Sequence, residues 1–188
     1  MVVLITGGAR SGKSTFAEKY AAHIGAAGIY IATSPVFDEE LKERVNQHQH
    51  RREQAAFDWE TIEEPYALAD ALQALKNRPD VATKETVILV DCLILWLSNW
   101  LLKLENDTPM ERIMEKLTEL LIVLREYPGT VLLVTNEVGD GIVPEYPLGR
   151  LFRDLAGLMN QRIAAISDQV FLVTAGIPVE LTSRAFRF

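Results

Sequence analysis

Gly7-Gly8-Ala9-Arg10-Ser11-Gly12-Lys13-Ser14 satisfies G-x-x-x-x-G-K-[ST] at every fixed position. The chemistry this implies is the grip of a nucleoside triphosphate. Glycines let backbone N–H groups turn inward around phosphate oxygens without a Cβ in the way. Lys13 is placed to reach the β- and γ-phosphates, and Ser14 to offer its hydroxyl to Mg²⁺. Two carboxylates join this set. Asp91 closes the apolar run Thr86-Val87-Ile88-Leu89-Val90, as in a Walker B, where the acid supports the metal. A helix-capping aspartate is the plain alternative at that position. Glu137 follows a second apolar run, Thr130 to Val134, and precedes the glycine-rich stretch Val138 to Pro144. A carboxylate there suits an active-site loop, with the task of orienting a substrate hydroxyl or a metal-bound water.

An imidazole is the remaining reactive group. At ~100° per residue, Leu41, Val45, His48 and Arg52 share one stripe of a helix, with Arg44 and Arg51 beside it. The stripe begins apolar and turns cationic, as expected where a core-packed helix overhangs a polar cleft. A neutral imidazole in such surroundings attacks a phosphoryl group while arginines neutralise the developing charge. His50 faces the other way, roughly 200° from His48. A solvated surface histidine is the plain alternative for both, and His23 fits only a local role near the end of the first helix.

These groups need elements to hold them. Val2 to Ile5 reads as a strand buried on both faces, running into the glycine loop and a helix from about Thr15. Ile29 to Ala32 is a second strand, with Thr33 and Ser34 at its C-terminal edge, where open α/β sheets meet ligands. Pro35 ends it, and a polar helix is expected over about 38–53. Phe57 to Glu63 alternates like a strand. Pro65 opens a helix to about Leu75, followed by a polar loop through Lys84. The strand ending on Asp91 precedes the apolar stretch Leu93 to Leu102, expected as a buried helix at a subunit contact. Ile113, Leu117, Leu120, Leu121 and Leu124 mark an amphipathic helix over 109–126. After Thr130 to Val134, Leu148, Leu151, Leu155 and Leu158 stripe another helix ending near Ala165. Gln169 to Val173 is a further strand, and Gly176 to Val179 a short edge or tail. Strands alternating with helices give an α/β P-loop NTPase, a mainly parallel sheet covered by helices on both faces, in one domain over 1–188.

Composition narrows the partners. The 188 residues are 48% hydrophobic and 24% charged, ordinary for a globular protein. A net charge of −7 argues against non-specific nucleic-acid binding. One cysteine, Cys92, excludes an internal disulfide framework and suits a reducing cytoplasm. The Leu93 to Leu102 run falls well short of the ~20 residues a membrane span needs.

Taken together, the chain resembles the bifunctional adenosylcobinamide kinase and adenosylcobinamide-phosphate guanylyltransferase family of cobalamin biosynthesis. The likeness rests on Thr6 to Ser14, Tyr30-Ile31-Ala32-Thr33-Ser34, the Arg44/His48/Arg52 helix and Trp59 to Glu63. It continues through Val134 to Gly139, Gly141-Ile142-Val143-Pro144, Phe152-Arg153-Asp154 and Asn160-Gln161-Arg162. It implies phosphorylation of the aminopropanol hydroxyl of adenosylcobinamide by ATP or GTP. It also implies transfer of GMP from GTP, through an enzyme histidine, to adenosylcobinamide phosphate. The family histidine stands four residues after an arginine, which matches His48. By the same match Ala32, Thr33, Ser34, Gln49, His50, Arg51, Arg52, Glu63 and Asp91 line the GTP site. The family forms oligomers, notably trimers.

Three readings compete. A small-molecule kinase without guanylyl transfer would leave His48 a surface residue. A GTPase switch would need a guanine-reading Asn-Lys-x-Asp segment, and the sequence has none. A P-loop scaffold would turn nucleotide over without responding to cobinamide.

Overall fold

The computed structural model describes residues 1–34, 57–82, 85–105 and 107–186. Strand β1 (Val2–Thr6) is five consecutive buried residues, as its β-branched and apolar composition requires. It feeds the glycine loop and helix α1 (Lys13–Ile24). That helix buries Ala17 and Ala21, whose small side chains let it lie close on the sheet. It ends at Gly25, whose N–H donates to Ala21 O at 3.0 Å. The chain continues through β2 (Ala27–Ala32), β3 (Asp58–Glu63), α2 (Leu68–Leu75), the short α3 (Pro79–Ala82) and β4 (Thr86–Asp91). After these come α4 (Leu93–Lys103), α5 (Pro109–Arg125), β5 (Thr130–Val134), α6 (Pro147–Ala164), β6 (Gln169–Thr174) and β7 (Ile177–Glu180).

The seven strands form one sheet in the order β3-β2-β4-β5-β1-β6-β7. Every pairing is parallel except β6 with β7. Adjacent residues of a strand point to opposite faces. Unbroken burial of Val87–Val90 and Val131–Val134 therefore means that helices cover both faces of the sheet's centre. The fold expected from the sequence is the fold observed.

Three local features sharpen the sequence reading. The Leu93 to Leu102 stretch is the expected buried helix, α4, with Leu93, Ile94, Trp96, Leu97 and Leu101 buried within this chain and Leu102 exposed. Helix α4 packs against α5 and α6, so its apolar composition needs no second subunit to explain it. On α6 the buried face is Leu155, Ala156, Met159, Asn160 and Ile163, while Leu148 and Leu151 pack only partly. The helix is thus rotated from its leucine stripe, and Asn160 is turned inward. Finally, Ile177–Glu180 is the short edge expected, an antiparallel strand joined to β6 across Ala175 and Gly176, both in the left-handed region (φ 51° and 79°). Such a pair of conformations makes the tight turn of a two-residue hairpin.

Candidate functional site: one edge of the sheet

Parallel strands carry their C-terminal ends to one edge. In register, Glu63 of β3 pairs with Ala32 of β2, Ala32 with Asp91 of β4, Asp91 with Val134 of β5, and Val134 with Ile5 of β1. Glu63, Ala32 and Asp91 therefore stand in one row with the residues that lead into Glu137 and the glycine loop. Strand β5 separates β1 from β4, so the acid of β4 sits two strand spacings, about 10 Å, from the loop's strand.

The loop is closely built. Gly7 packs so near β6 that a Cβ would lie 2.4 Å from Val173 O. Gly12, at φ +95°, opens α1 from the left-handed region that glycine adopts without strain. The tip of the β6–β7 hairpin supports the loop from below, with Gly176 N–H donating to Ser11 O at 2.8 Å. Gly8, Ala9 and Arg10 are exposed at its crown, while Lys13 is buried. The Lys13 ammonium donates to Gly8 O at 3.0 Å. Ser11 Oγ is buried with no hydrogen-bond partner among the described residues. An unsatisfied hydroxyl inside a loop of inward N–H groups is a donor held ready for an anion's oxygen.

Asp91 is half-buried, and its Oδ2 accepts a hydrogen bond from Tyr30 Oη at 3.1 Å. The turn after it is fixed by Thr33, whose hydroxyl donates to Cys92 O at 2.7 Å and accepts from Cys92 N–H at 2.8 Å. Thr33 is fully buried, and its carbonyl accepts from Asn99 Nδ2 at 2.9 Å. The Thr33 hydroxyl is engaged within the protein and holds the turn at Cys92, next to Asp91. Ser34, beside it, is half-buried, and Glu63 is exposed. Cys92 is a buried thiol, pushed up to about 12 by desolvation first and the Asp91 charge second. It is a packing residue.

Glu137 is tied to the loop by backbone and side chain. Its N–H donates to Gly7 O at 3.1 Å, and its Oε1 accepts from Thr6 Oγ1 at 2.5 Å. The structure thus brings Lys13, Ser14, Asp91 and Glu137 to the same sheet edge. His48, Gln49, His50, Arg51 and Arg52, with Arg44, lie outside the described residues.

Among the described residues no three His, Cys, Asp or Glu side chains cluster to hold a metal. A site of one carboxylate and one hydroxyl, Asp91 and Ser14, is the donor set Mg²⁺ takes when phosphate oxygens and waters complete its shell. The residues present fit that ion. Sequence reasoning gave no role to Tyr30, Asn99 or Asn160. Only Asn160 carried a signal: an amide on the side of α6 that also bears Ala156 and Ile163.

The family model for cobinamide kinase / cobinamide phosphate guanyltransferase matches residues 3–181. The chain is 43% identical to the bifunctional adenosylcobalamin biosynthesis protein CobP of Pseudomonas aeruginosa, across 95% of each. It is equally 43% identical to the CobU protein of the same description in Salmonella typhimurium, across 96% of this chain and 99% of that one. A solved structure of the RadB recombinase aligns with 91% of this chain and 73% of its own at 15% identity, with a TM-score of 0.49. The strand order itself, not that likeness, carries the fold.

Proposed function

The chain belongs to the cobinamide kinase / cobinamide phosphate guanyltransferase family, and we propose that both reactions use one triphosphate site at residues 7–14. It is an enzyme of cobalamin biosynthesis that phosphorylates cobinamide and transfers a guanylyl group to cobinamide phosphate. The observation that supports placing the phosphoryl chemistry at this loop is the double tie of Glu137, by its N–H to Gly7 O and by its carboxylate to Thr6 Oγ1. It fixes a carboxylate to the first glycine of the phosphate loop, where an attacking hydroxyl must be oriented.

In the kinase step Lys13 and the loop N–H groups hold the triphosphate of ATP or GTP. Glu137 accepts the proton of the aminopropanol hydroxyl of adenosylcobinamide as its oxygen bonds to the γ-phosphorus. The bond from that phosphorus to its bridging oxygen breaks, releasing the nucleoside diphosphate. In the guanylyl step a ring nitrogen of His48 bonds to the α-phosphorus of GTP and pyrophosphate leaves. The phosphate oxygen of adenosylcobinamide phosphate then displaces the histidine, giving adenosylcobinamide-GDP. Arg44, Arg51 and Arg52 would neutralise the charge that develops on phosphorus. Ser14 and Asp91 would hold Mg²⁺, which supplies charge neutralisation on the phosphates. Ala32, Thr33, Ser34, Gln49, His50 and Glu63 complete the nucleotide site in this reading.

The reading extends to a homotrimer, a cytoplasmic setting and one domain over 1–188. Among the described residues no helix is long and apolar enough to cross a membrane.

A product assay with adenosylcobinamide and GTP labelled at either the α- or the γ-phosphorus tests the pair of reactions. Label from both positions must enter corrinoid products. Entry of γ-label alone would favour a kinase without guanylyl transfer.

A further inference from the structure

A hydrogen-bond network converges on the end of β5. Thr6, the last residue of β1, donates to Glu137 Oε1. From α6, Asn160 Nδ2 donates to Asn136 O at 3.0 Å and reaches the same Glu137 Oε1 at 3.4 Å. Thr135 Oγ1 donates to Asn160 Oδ1 at 2.8 Å. A hydroxyl on the amide oxygen leaves the amide nitrogen for the strand end, so the direction of Asn160 is set. Both donors meet one carboxylate oxygen. Among the described residues no hydrogen bond is made to Oε2.

We infer that Thr6 and Asn160 are positioning residues for phosphoryl transfer: they occupy Oε1 of Glu137 and leave Oε2 to take the substrate's proton. This rests on the reading of Glu137 given above. A carboxylate free to turn offers two equivalent oxygens, and ordering it must occur during the reaction. Here the ordering is done on folding, and the gain is orientation at the attacking hydroxyl. Asn160 is nine-tenths buried on a face otherwise occupied by Leu155, Ala156, Met159 and Ile163. An amide there must be hydrogen-bonded, and it spends its bonds on the residues that carry the carboxylate.

The test compares Thr6→Val, Thr6→Ser, Glu137→Gln and the Thr6→Val/Glu137→Gln double variant. It reads kcat and KM for cobinamide phosphorylation beside the rate of guanylylation by α-labelled GTP. Thr6→Val should lower the kinase-to-guanylylation ratio about tenfold to a hundredfold, through kcat and not through KM for the triphosphate. Thr6→Ser, which keeps the hydroxyl, should restore most of that loss. In the Glu137→Gln background Thr6→Val should add nothing, because the group it positions is gone. A wild-type ratio in Thr6→Val beside a crippled Glu137→Gln overturns the inference and spares Glu137. Losses that multiply in the double variant overturn it too, since they mark a purely structural bond. A wild-type kinase rate in Glu137→Gln removes the reading beneath, and this inference with it. Should Thr6→Val fail to fold, Asn160→Asp carries the same comparison: it replaces the donor with an acceptor and must lower the ratio in the same way.

Discussion

Lys13 donates to the carbonyl oxygen of Gly8, a residue of its own loop, at 3.0 Å. A buried ammonium needs acceptors, and this carbonyl supplies one where phosphate oxygens can take its place. Lys13→Ala should therefore lower both the kinase and the guanylylation rates, each by about 10²- to 10³-fold, with the fold retained. Assaying the two activities side by side checks this. Normal guanylylation in a folded Lys13→Ala protein would mean a second nucleotide site.

Asp91 has one oxygen engaged by Tyr30. Asp91→Asn keeps the shape and removes the charge, so the Mg²⁺ concentration for half-maximal rate should rise about tenfold or more. Tyr30→Phe keeps the charge and frees the carboxylate to turn, and the shift should be smaller in the same direction. A Mg²⁺ titration of each variant reads both. An unchanged dependence in Asp91→Asn would return that residue to a capping role.

Asn99 is buried and donates to two carbonyls, Thr33 O at 2.9 Å and Pro65 O at 3.0 Å. Asn99→Ala leaves both oxygens without that donor and should cost about 2–3 kcal/mol of stability. Urea denaturation of the two proteins measures it. The loss should reach the site as well, because Thr33 holds the turn that carries Asp91.

Cys92 stands at the start of α4, a place that ordinarily favours a thiolate. Burial wins over the backbone N–H groups of Ile94 and Leu95, and the thiol is pushed up to about 12. At pH 8 it is essentially all thiol. The folded protein should consume no Ellman's reagent over a time in which the urea-unfolded protein consumes one equivalent.

The sheet was legible because its central strands are continuous β-branched and apolar runs, each ending on glycine, aspartate or a Thr-Asn-Glu step. That placed Lys13, Asp91 and Glu137 at one edge from the sequence alone. The hydrogen bonds that aim them were not legible. Asn160 belongs to a stretch that carries the family resemblance, but its inward turn follows from how α6 packs on α4 and α5. The position of Thr33 at a strand end was legible, but the bonds of its hydroxyl to the backbone of Cys92 were not, because they depend on how β2 and β4 end side by side. The apolar run of α4 was legible as a buried helix, but composition cannot say which surface buries it; the chain's own helices pack against it.

The central claim is that one protein histidine carries GMP, and that it is His48. Imidazole attacks as a neutral base near pH 7, and the resulting N–P bond is reactive enough to pass the group on. On the helix that the sequence predicts over about 38–53, His48 would continue the stripe of Leu41 and Val45, with Arg44, Arg51 and Arg52 near it in sequence, and His50 would not. The direct measurement is incubation with α-labelled GTP and Mg²⁺, followed by denaturing electrophoresis of the native sequence, His48→Asn and His50→Asn. Acid-labile, base-stable label must appear on the native sequence and on His50→Asn and be lost from His48→Asn, which keeps substantial kinase activity. Label that persists in His48→Asn and vanishes in His50→Asn would contradict the account and move the nucleophile to His50.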